Sequence, residues 1–502
     1  MRTESFRKFI SLTLLLAWAV IACQPVPAAV EPTPAPTATF TPEVTLPPVP
    51  LGFVEYFSQS GDTLKTVASH FGVELAEIRA PAGYDPELLL DPGTRLLVRD
   101  VLGETTPPAR LFPDSDVVYS PSAIGFDMPK YLAFWNGYLA DYEELMTRGM
   151  TPGHEILQQL AIGHSINPRI LLTMMEFASG WVTHNNLPKD EIFYPMGYVH
   201  PDRGGLFDQT VWAVRQLNIG YYGWRAGTLS QLTFSDGTTL RLSPFLNAGT
   251  VAVMYALAQI HTYDEWKKAL YGDGNMVTVH HLLFDDPWER ASTVEPLFPA
   301  GTSQPELNLP FLPNQRWALT NGPHPAWGLY GPRAALDFAP AGSSGCDVSR
   351  RFTTAAAAGR VVRDGDGLVV LDLDSDGYEQ TGWVLVYMHV SNTNRVALGD
   401  DVRQDDPLGH PSCAGGPATG AHVHITRKFN GEWVLADGGI PFVLSGYRAY
   451  DGARDCFGDR FCQGYLDNGE RVVTADAYAN AGTNILRPDS RPEFFYTPTP
   501  RK

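Results

Sequence analysis

The chain has little positive charge. Its 502 residues contain 37 lysines and arginines against 55 aspartates and glutamates, which gives a formal net charge of −18. Proteins that hold nucleic acids or anionic membranes do so mainly through cationic side chains on phosphate groups. The composition therefore argues against a nucleic-acid partner and against a protein that binds a membrane surface by bulk charge.

The apolar run at the N-terminus is too short to cross a membrane. It extends from Phe9 to Ala22 behind three basic residues, whereas a spanning helix needs about 20 apolar residues. A basic start followed by a short apolar run is typical of secretory signals. We predict a signal peptide over residues 1–22 and export of the remainder.

Cys23 follows this run directly, and the stretch VIAC resembles the lipobox of bacterial lipoproteins, in which the cysteine is diacylated. The resemblance implies a lipid on Cys23 and an extracytoplasmic protein at the outer face of the cell membrane and cell wall. The alternative is an ordinary signal peptide with a chance cysteine. Residues 23–51 are rich in proline, threonine and alanine and are predicted to form an extended linker without a core.

Cysteine is also scarce, with five residues in all. Cys346, Cys413, Cys456 and Cys462 lie in the last third of the chain, and none has the Cys-x-x-Cys spacing of zinc sites. An even number of cysteines in an exported protein predicts two disulfides. Of the three connectivities we favour Cys346 with Cys413 and Cys456 with Cys462, because the second pair encloses only a short loop.

Residues 52–99 have the pattern of a small β-α-α-β module. Asp62 or Thr63 can cap a first helix, and a second helix is predicted from Glu74 to Arg79. The stretch SGDTLKTVASHFGV resembles the lysin motif, which implies binding to the N-acetylglucosamine backbone of peptidoglycan or chitin. Ala80 replaces the asparagine usual in that family, and the alternative is a spacer that has kept the fold and lost the ligand.

Residues 115–295 are predicted to form a mostly helical domain. The stretch INPRILLTMMEFASGWV places Glu176 on an apolar helix, where a carboxyl could act as a general acid. The stretch resembles the catalytic helix of lytic transglycosylases and goose-type lysozymes. However, Ala178 holds the position of the catalytic glutamate, and Glu176 lies two residues earlier, about 200° around the helix. The resemblance implies a lysozyme-like domain that binds glycan without cutting it; the alternative is a glycosidase that uses Glu176.

Residues 305–490 have short apolar runs separated by glycines, which predict a β-rich domain with an antiparallel sheet. Three stretches of this domain, NGPHPAWGLYGPRAALDFAP, VLVYMHV and ATGAHVHI, contain imidazole and carboxylate groups. Hydrolytic zinc sites use three such ligands, leave one position open for water and have a base nearby. The candidate ligands are His324, Asp337 and His424, and the candidate bases are His389 and His422.

These stretches resemble the lysostaphin and beta-lytic metalloendopeptidase family, zinc enzymes that cut peptide bonds in peptidoglycan cross-bridges and stems. The commoner pattern has a histidine four residues before the aspartate, where this chain has Arg333. The beta-lytic branch instead carries that histidine upstream in an Asn-Gly-x-His segment, as NGPH does here. The resemblance implies one zinc ion held by His324, Asp337 and His424.

His422 and His424 are two residues apart in a predicted strand, so their side chains share one face and lie roughly 6–7 Å apart along it. We therefore expect His424 to bind the metal and His422 to reach the water or the oxyanion. His389, on a neighbouring strand, completes the pair. One of His389 and His422 is expected to deprotonate water and the other to stabilise the oxyanion, and the sequence leaves their order open.

The sequence as a whole predicts a multidomain peptidoglycan hydrolase, a zinc-dependent metalloendopeptidase held at the wall by its lysin-motif module. The alternative is a catalytically inactive wall-binding scaffold that activates another wall hydrolase. The presence of all five candidate residues favours the enzyme, because a scaffold has no reason to keep them together.

Overall fold

The computed structural model of the chain describes residues 47–342, 345–453 and 461–487. The predicted signal peptide, Cys23 and nearly all of the linker lie outside the described residues. The chain divides into two units, Met1–Pro48 and Val49–Lys502, and all the elements named here belong to the second. Within the described ranges, no helix combines the length and the apolar composition that crossing a membrane requires.

A three-stranded antiparallel sheet and one helix form the small N-terminal module. Its elements are β1 (Phe53–Phe57), α1 (Leu64–Phe71), β2 (Ile78–Arg79) and β3 (Arg95–Arg99), with strand order β1-β3-β2. The hydroxyl of Thr63 caps α1 by accepting the Thr66 N–H, and Gly72, with φ of 69°, ends it. The second helix predicted from Glu74 to Arg79 is wrong. A 3-10 turn occupies Leu75–Glu77, and the next two residues are drawn into the sheet, because Ile78 and Arg79 pair with β3.

Helices dominate the next region, which contains nine of them. They are α2 (Met128–Trp135), α3 (Gly153–His164), α4 (Pro168–Ser179), α5 (Lys189–Phe193), α6 (Leu206–Arg225), α7 (Ala248–Ala258), α8 (Tyr263–Tyr271), α9 (Met276–Phe284) and α10 (Pro287–Ala291). Two hairpins interrupt them, β4 (Glu143–Met146) with β5 (Gly149–Pro152) and β6 (Gln231–Thr233) with β7 (Thr239–Arg241). Helix α7 is buried along nearly its whole length, so this region has a core of its own.

The C-terminal domain is β-rich and antiparallel, as predicted. Its main sheet has the order β14-β11-β12-β13-β16-β9-β8-β22, with β17 paired to β16, and a second sheet has the order β18-β19-β20-β21. The strands are β8 (Arg316–Pro325), β9 (Arg333–Pro340), β10 (Thr353–Thr354), β11 (Gly359–Gly365), β12 (Leu368–Asp372), β13 (Trp383–Met388), β14 (Asp401–Val402), β15 (Pro407–Gly409), β16 (Val423–Phe429), β17 (Glu432–Trp433), β18 (Val443–Leu444), β19 (Tyr447–Asp451), β20 (Gly464–Asp467), β21 (Val472–Thr474) and β22 (Asn484–Leu486).

The main sheet is covered on both faces. Leu385 and Ile425 point into the core of the β-rich domain itself. Val384 and Val386, on the opposite face, are fully buried and belong to the core of the helical region. Because Met388 lies opposite His424 in the β13–β16 register, the candidate histidine projects from the same face as Val386.

A buried arginine joins all three parts of the described chain. Arg225, at the end of α6, pairs with Asp114 at 2.8 Å and with Glu432 of β17 at 2.8 Å, and the three side chains are at most 7% exposed. The guanidinium also donates to the carbonyl of Ser60 in the small module. Charges this deeply buried require partners, so this one side chain contributes to the contacts among all three parts.

The predicted disulfide between Cys346 and Cys413 is present. Cys462 is also disulfide-bonded, and Cys456, its predicted partner, lies outside the described residues. The confirmed disulfide links the segment after β9 to the segment before β16, both of which adjoin candidate site residues.

His70 connects the small module to α6. Its ring stacks on Trp224 with centroids 3.6 Å apart, and its Nε2 lies 3.0 Å from the Trp224 carbonyl. Burial lowers the pKa of His70 from 6.5 to about 4. Between these two values the unfolded chain binds a proton that the folded chain does not, so the stability from this group is present above pH 6.5 and is lost as the pH falls toward 4.

We expect acidification from pH 7 to pH 5 to lower the free energy of unfolding of the wild type by about 2 kcal/mol more than that of His70→Gln. Glutamine keeps a donor for the Trp224 carbonyl and cannot be protonated. Urea denaturation of both proteins at the two pH values measures the difference. Equal losses in the two proteins would show that His70 does not titrate in this way.

Candidate metal centre and catalytic site

Three adjacent strands bring the predicted ligands together. Asp337 on β9 lies directly opposite His424 on β16. His324 is near the end of β8 and pairs with Ala335 on β9, after register shifts that follow Leu319 and Asn321. Such irregularities re-aim side chains at sheet edges, and here they direct the His324 imidazole toward Asp337. His324 and Asp337 are 13 residues apart in the sequence because the chain turns back between β8 and β9 in an irregular hairpin.

The three side chains converge on one point. His324 Nε2 lies 2.9 Å from His424 Nδ1, and Asp337 Oδ1 lies 3.2 Å from each of these nitrogens. All three residues are buried, with exposures between 6% and 8%. Together they form a group whose geometry suits a metal ion.

The three atoms are of types that bind zinc, and their spacing also fits this ion. Ligands held about 2.0–2.2 Å from a tetrahedral zinc lie roughly 3.3–3.6 Å from one another, close to the spacing found here. Asp337 Oδ1 is buried and accepts no hydrogen bond from the described residues, although two imidazole nitrogens lie beside it. A buried carboxylate oxygen without a donor is costly, and a cation between these three atoms would remove that cost.

Backbone carbonyls fix which nitrogen each ligand offers. His324 Nδ1 lies 2.9 Å from the Gly322 carbonyl, and His424 Nε2 lies 3.1 Å from the Ala326 carbonyl. A carbonyl only accepts, so these nitrogens are assigned as N–H donors. The opposite nitrogens, His324 Nε2 and His424 Nδ1, keep their lone pairs, which are the atoms aimed at Asp337.

The two remaining histidines lie beside this group. The rings of His389 and His422 are 4.4 Å apart between centroids, and the His389 ring is 6.3 Å from that of His424. Their Nδ1 atoms lie 2.8 Å from the carbonyls of Ala414 and Gly420 respectively, so each imidazole has its Nε2 left for other contacts. His422 Nε2 is 3.5 Å from Asp337 Oδ2.

The electrostatics of the group follow from burial and proximity. Burial opposes the charge of Asp337, but His324 and His422 hold the pKa of this carboxyl well below its usual range. Burial also opposes protonation of His324, whose pKa is nevertheless raised by Asp337. Burial lowers the pKa of His424, and burial followed by the neighbouring His422 and His424 lowers that of His389 to about 4. An ionised carboxylate thus lies beside two imidazoles, those of His389 and His424, whose neutral form is favoured by burial, and neutral imidazole is the form that binds a metal.

Three other polar side chains of the domain have partners of their own. Arg333 forms an ion pair with Asp451 at 2.8 Å, and His410 lies 3.2 Å from the Arg351 carbonyl. Tyr387 is fully buried in the core, where its hydroxyl accepts the Ala356 N–H. These three residues therefore have structural roles.

The carboxylate of Glu176, in the helical region, accepts hydrogen bonds from the loop that follows α4. Its carboxylate accepts the N–H groups of Val182 and Thr183 at 2.9 and 3.0 Å and the Thr183 hydroxyl at 2.5 Å. The side chain is 7% exposed, and His184 lies 3.7 Å away. These contacts fasten the loop that follows α4, so the carboxylate is held by three hydrogen bonds from that loop.

The carbonyls that orient the imidazoles have no sequence signal. Gly322, Ala326, Ala414 and Gly420 provide them, and any residue type can offer a carbonyl. The Ala326 and Ala414 carbonyls are also 98 and 25 positions from the histidines they contact, whereas those of Gly322 and Gly420 are two positions from theirs.

Several known proteins are similar in sequence to this chain over part of its length. Residues 110–297 match the family described as LasA, N-terminal domain. Protease LasA of Pseudomonas aeruginosa strain UCBPP-PA14 is 26% identical over 387 residues, which cover 71% of this chain and 83% of that protein. Beta-lytic metalloendopeptidase of Achromobacter lyticus is 27% identical over 181 residues, which cover 32% of this chain and 46% of that protein. The chain is similar to a protease and to a metalloendopeptidase.

Solved structures of M23 peptidases align with part of the chain. The M23 metalloprotease pseudoalterin, from the deep sea, is 26% identical, with 35% of this chain and 96% of that chain covered and a TM-score of 0.28. The catalytic domain of lysostaphin from Staphylococcus simulans is 22% identical, with 24% and 90% covered and a TM-score of 0.19. The residue assignments of the site, and the lysin-motif and lysozyme-like resemblances of the earlier regions, stay predictions.

Proposed function

We propose that this protein is a zinc metalloendopeptidase that hydrolyses peptide bonds in peptidoglycan. The observation that carries the proposal is the convergence of His324 Nε2, Asp337 Oδ1 and His424 Nδ1 within 3.2 Å of one another. The relationship to protease LasA and to beta-lytic metalloendopeptidase supports the reaction type. The resemblance to a family that cuts peptidoglycan cross-bridges and stems supplies the substrate.

His324, Asp337 and His424 would hold the zinc ion. When bound, zinc supplies Lewis-acid chemistry, which polarises the scissile carbonyl and acidifies a water molecule. The chain contributes ligands that are already aligned, because the Gly322 and Ala326 carbonyls hold the two imidazoles by their other nitrogens. Little rearrangement is then needed when the metal binds.

His389 and His422 would move the protons. Each has its Nδ1 held by a backbone carbonyl, so proton exchange with water or substrate takes place at Nε2. His422 Nε2 lies 3.5 Å from a carboxylate oxygen of Asp337, which suits a donor, whereas His389 has no such carboxylate contact among the described residues. We assign His389 as the base that accepts a proton from water and His422 as the hydrogen-bond donor to the oxyanion.

The other regions would bring the enzyme to its substrate. The lysin-motif module is proposed to bind the glycan backbone, and the helical domain, predicted to be lysozyme-like, is proposed to position glycan. A lipid on Cys23 would hold the protein at the outer face of the membrane. Tethering raises the local concentration of wall around the site, so each module can bind weakly.

A glycosidase centred on Glu176 is the second candidate, and the contacts of this residue disfavour it. A general acid must present its carboxyl to the leaving oxygen, but the Glu176 carboxylate already accepts three hydrogen bonds from Val182 and Thr183. If the protein is an inactive scaffold, it binds the wall but produces neither new amino groups nor new reducing sugar ends.

Product analysis separates these candidates. The purified protein is incubated with peptidoglycan, and new amino groups and new reducing sugar ends are counted, with Glu176→Gln as a second sample. We expect new amino groups, no new reducing ends and equal yields from both proteins. Reducing ends that disappear in Glu176→Gln would establish the glycosidase instead, and bound protein without any new ends would favour the scaffold.

A further inference from the structure

Asn321 lies three residues before His324, and its side chain is bonded to the C-terminal part of the domain. Its Oδ1 accepts the Cys462 N–H at 2.8 Å, and the next residue, Gly322, donates its N–H to the Cys462 carbonyl at 3.0 Å. The two segments touch directly, since a Cβ on Gly322 would lie 2.5 Å from the Gly464 nitrogen. The Gly322 peptide is therefore held against the segment that enters β20.

The Gly322 carbonyl is the group that orients His324. It lies 2.9 Å from His324 Nδ1 and so directs His324 Nε2 toward the metal position. Cys462 is thus hydrogen-bonded to both Asn321 and Gly322, and the Gly322 carbonyl contacts the His324 nitrogen opposite the one that faces the metal position. Loss of the Asn321 amide would remove one of the two hydrogen bonds that hold this segment, and with it the Gly322 carbonyl, against Cys462.

His389 is likewise held in place by hydrogen bonds, in this case from Ser412. Ser412 donates both its N–H and its hydroxyl to the His389 carbonyl, at 2.7 and 3.0 Å. The same hydroxyl accepts the Ala414 N–H at 3.1 Å, and the Ala414 carbonyl lies 2.8 Å from His389 Nδ1. Ser412 therefore holds the backbone of His389 and, through Ala414, its imidazole.

His389 needs such support because of its backbone. Its φ is 64°, in the left-handed region that residues other than glycine adopt rarely and at a cost in free energy. The segment that supports it is anchored in turn, because Cys413, between Ser412 and Ala414, is bonded to Cys346. Ser412 is 4% exposed, so water does not replace its contacts.

We propose that Asn321 and Ser412 are separate positioning residues, Asn321 for the metal ligand His324 and Ser412 for the proton-transfer residue His389. The inference rests on the proposed function, since it assigns each residue to one half of that site. The halves respond differently to substitution: Asn321 controls how tightly zinc is held, and Ser412 controls the rate at saturating zinc.

The test measures zinc affinity and kinetics separately. Asn321→Ala is expected to bind zinc about tenfold more weakly in competition with a chelator of known affinity, with kcat on peptidoglycan restored to within about threefold by excess zinc. Ser412→Ala is expected to keep its zinc affinity and KM within about threefold while kcat falls about tenfold. Asn321→Asp, which keeps the acceptor oxygen, and Ser412→Thr, which keeps the hydroxyl, are expected to recover most of each loss.

Matched controls come from the same domain. Ser349 is a buried serine whose hydroxyl accepts the Arg351 N–H, and Asn308 donates to Asp405. Ser349→Ala and Asn308→Ala remove comparable hydrogen bonds away from the five histidine and aspartate side chains. Parallel loss of zinc affinity and kcat in Asn321→Ala and Ser412→Ala, or losses no larger than those of the controls, would overturn the proposal.

Two of the readouts do not need hydrolysis, so the proposal can fail independently of the proposed function. Zinc affinity tests Asn321 even if no peptide bond is cut. In protein labelled with ¹⁵N-histidine, the Nδ1–H resonance of His389 reports its bond to Ala414. We expect this signal to be lost by exchange with water in Ser412→Ala and kept in Ser349→Ala, and its survival in both would contradict the role of Ser412.

Discussion

Replacement of His424 by alanine is expected to reduce hydrolysis of peptidoglycan at least about a thousandfold and to remove stoichiometric zinc binding. The substitution deletes Nδ1, one of three atoms that converge within 3.2 Å. Two ligands leave the ion weakly held, and the carboxylate of Asp337 then lies in a buried site with one imidazole fewer. Zinc content of the purified protein and amine release from peptidoglycan measure the two effects.

His410→Ala is the matched control for this substitution. His410 belongs to the same domain, lies 3.2 Å from the Arg351 carbonyl and packs against Phe352 with ring centroids 4.0 Å apart. Its removal costs a similar volume and hydrogen bond without touching the proposed ligands. We expect zinc content and hydrolysis of His410→Ala to stay near those of the wild type. Full zinc content in His424→Ala would show that the ligands are misassigned.

Replacement of Arg225 by methionine is expected to lower the free energy of unfolding by about 3–5 kcal/mol. The variant leaves Asp114 and Glu432 without the charge that compensates them, and both carboxylates are buried. Burial already raises the pKa of Glu432 although Arg225 opposes this effect, so removal of the arginine favours the protonated acid. Urea denaturation at pH 7 measures the loss.

An exposed ion pair provides the comparison for Arg225. Arg148 pairs with Asp366 across the same two regions, but the side chains are 78% and 70% exposed. Such pairs add little to stability because water and salt screen them. Arg148→Met is therefore expected to unfold at nearly the same urea concentration as the wild type. Similar behaviour of the two variants would mean that the buried network does not hold the regions together.

The five candidate residues could be selected from the sequence because each signal was local or came from a family resemblance. His422 and His424 alternate along one strand, and His324 lies in the Asn-Gly-x-His segment of the beta-lytic branch. Adjacent strands then align Asp337 with His424 in register. The sequence did not determine which nitrogen faces the metal, because that choice depends on carbonyls such as that of Ala326.

The small module shows where a local pattern loses to a longer-range contact. Its second helix was expected from its pattern, but Ile78 pairs with Val98 and the sheet takes these residues. For the helical region the sequence predicted glycan binding without cutting, with a glycosidase that uses Glu176 as the alternative; the loop around Thr183 uses that carboxylate as an acceptor, which disfavours the alternative.

The joining of the three regions had no sequence signature. Arg225 and Glu432 are separated by 207 positions, and a single arginine near the end of a long helix does not indicate its partner. The same reason applies to Ser412, whose role depends on the backbone of His389, 23 residues away. Contacts of this kind are fixed by tertiary packing, which residue spacing does not reveal.

The measurement that tests the central claim most directly is amine release from purified peptidoglycan by the protein as prepared, after treatment with a chelator, and after zinc is added back, with Asp337→Asn measured in parallel. We expect release by the wild type to stop with the chelator and to return with zinc, while Asp337→Asn stays inactive under all three conditions. Release that survives the chelator, or that zinc restores to the wild-type rate in Asp337→Asn, would contradict a zinc endopeptidase built on His324, Asp337 and His424.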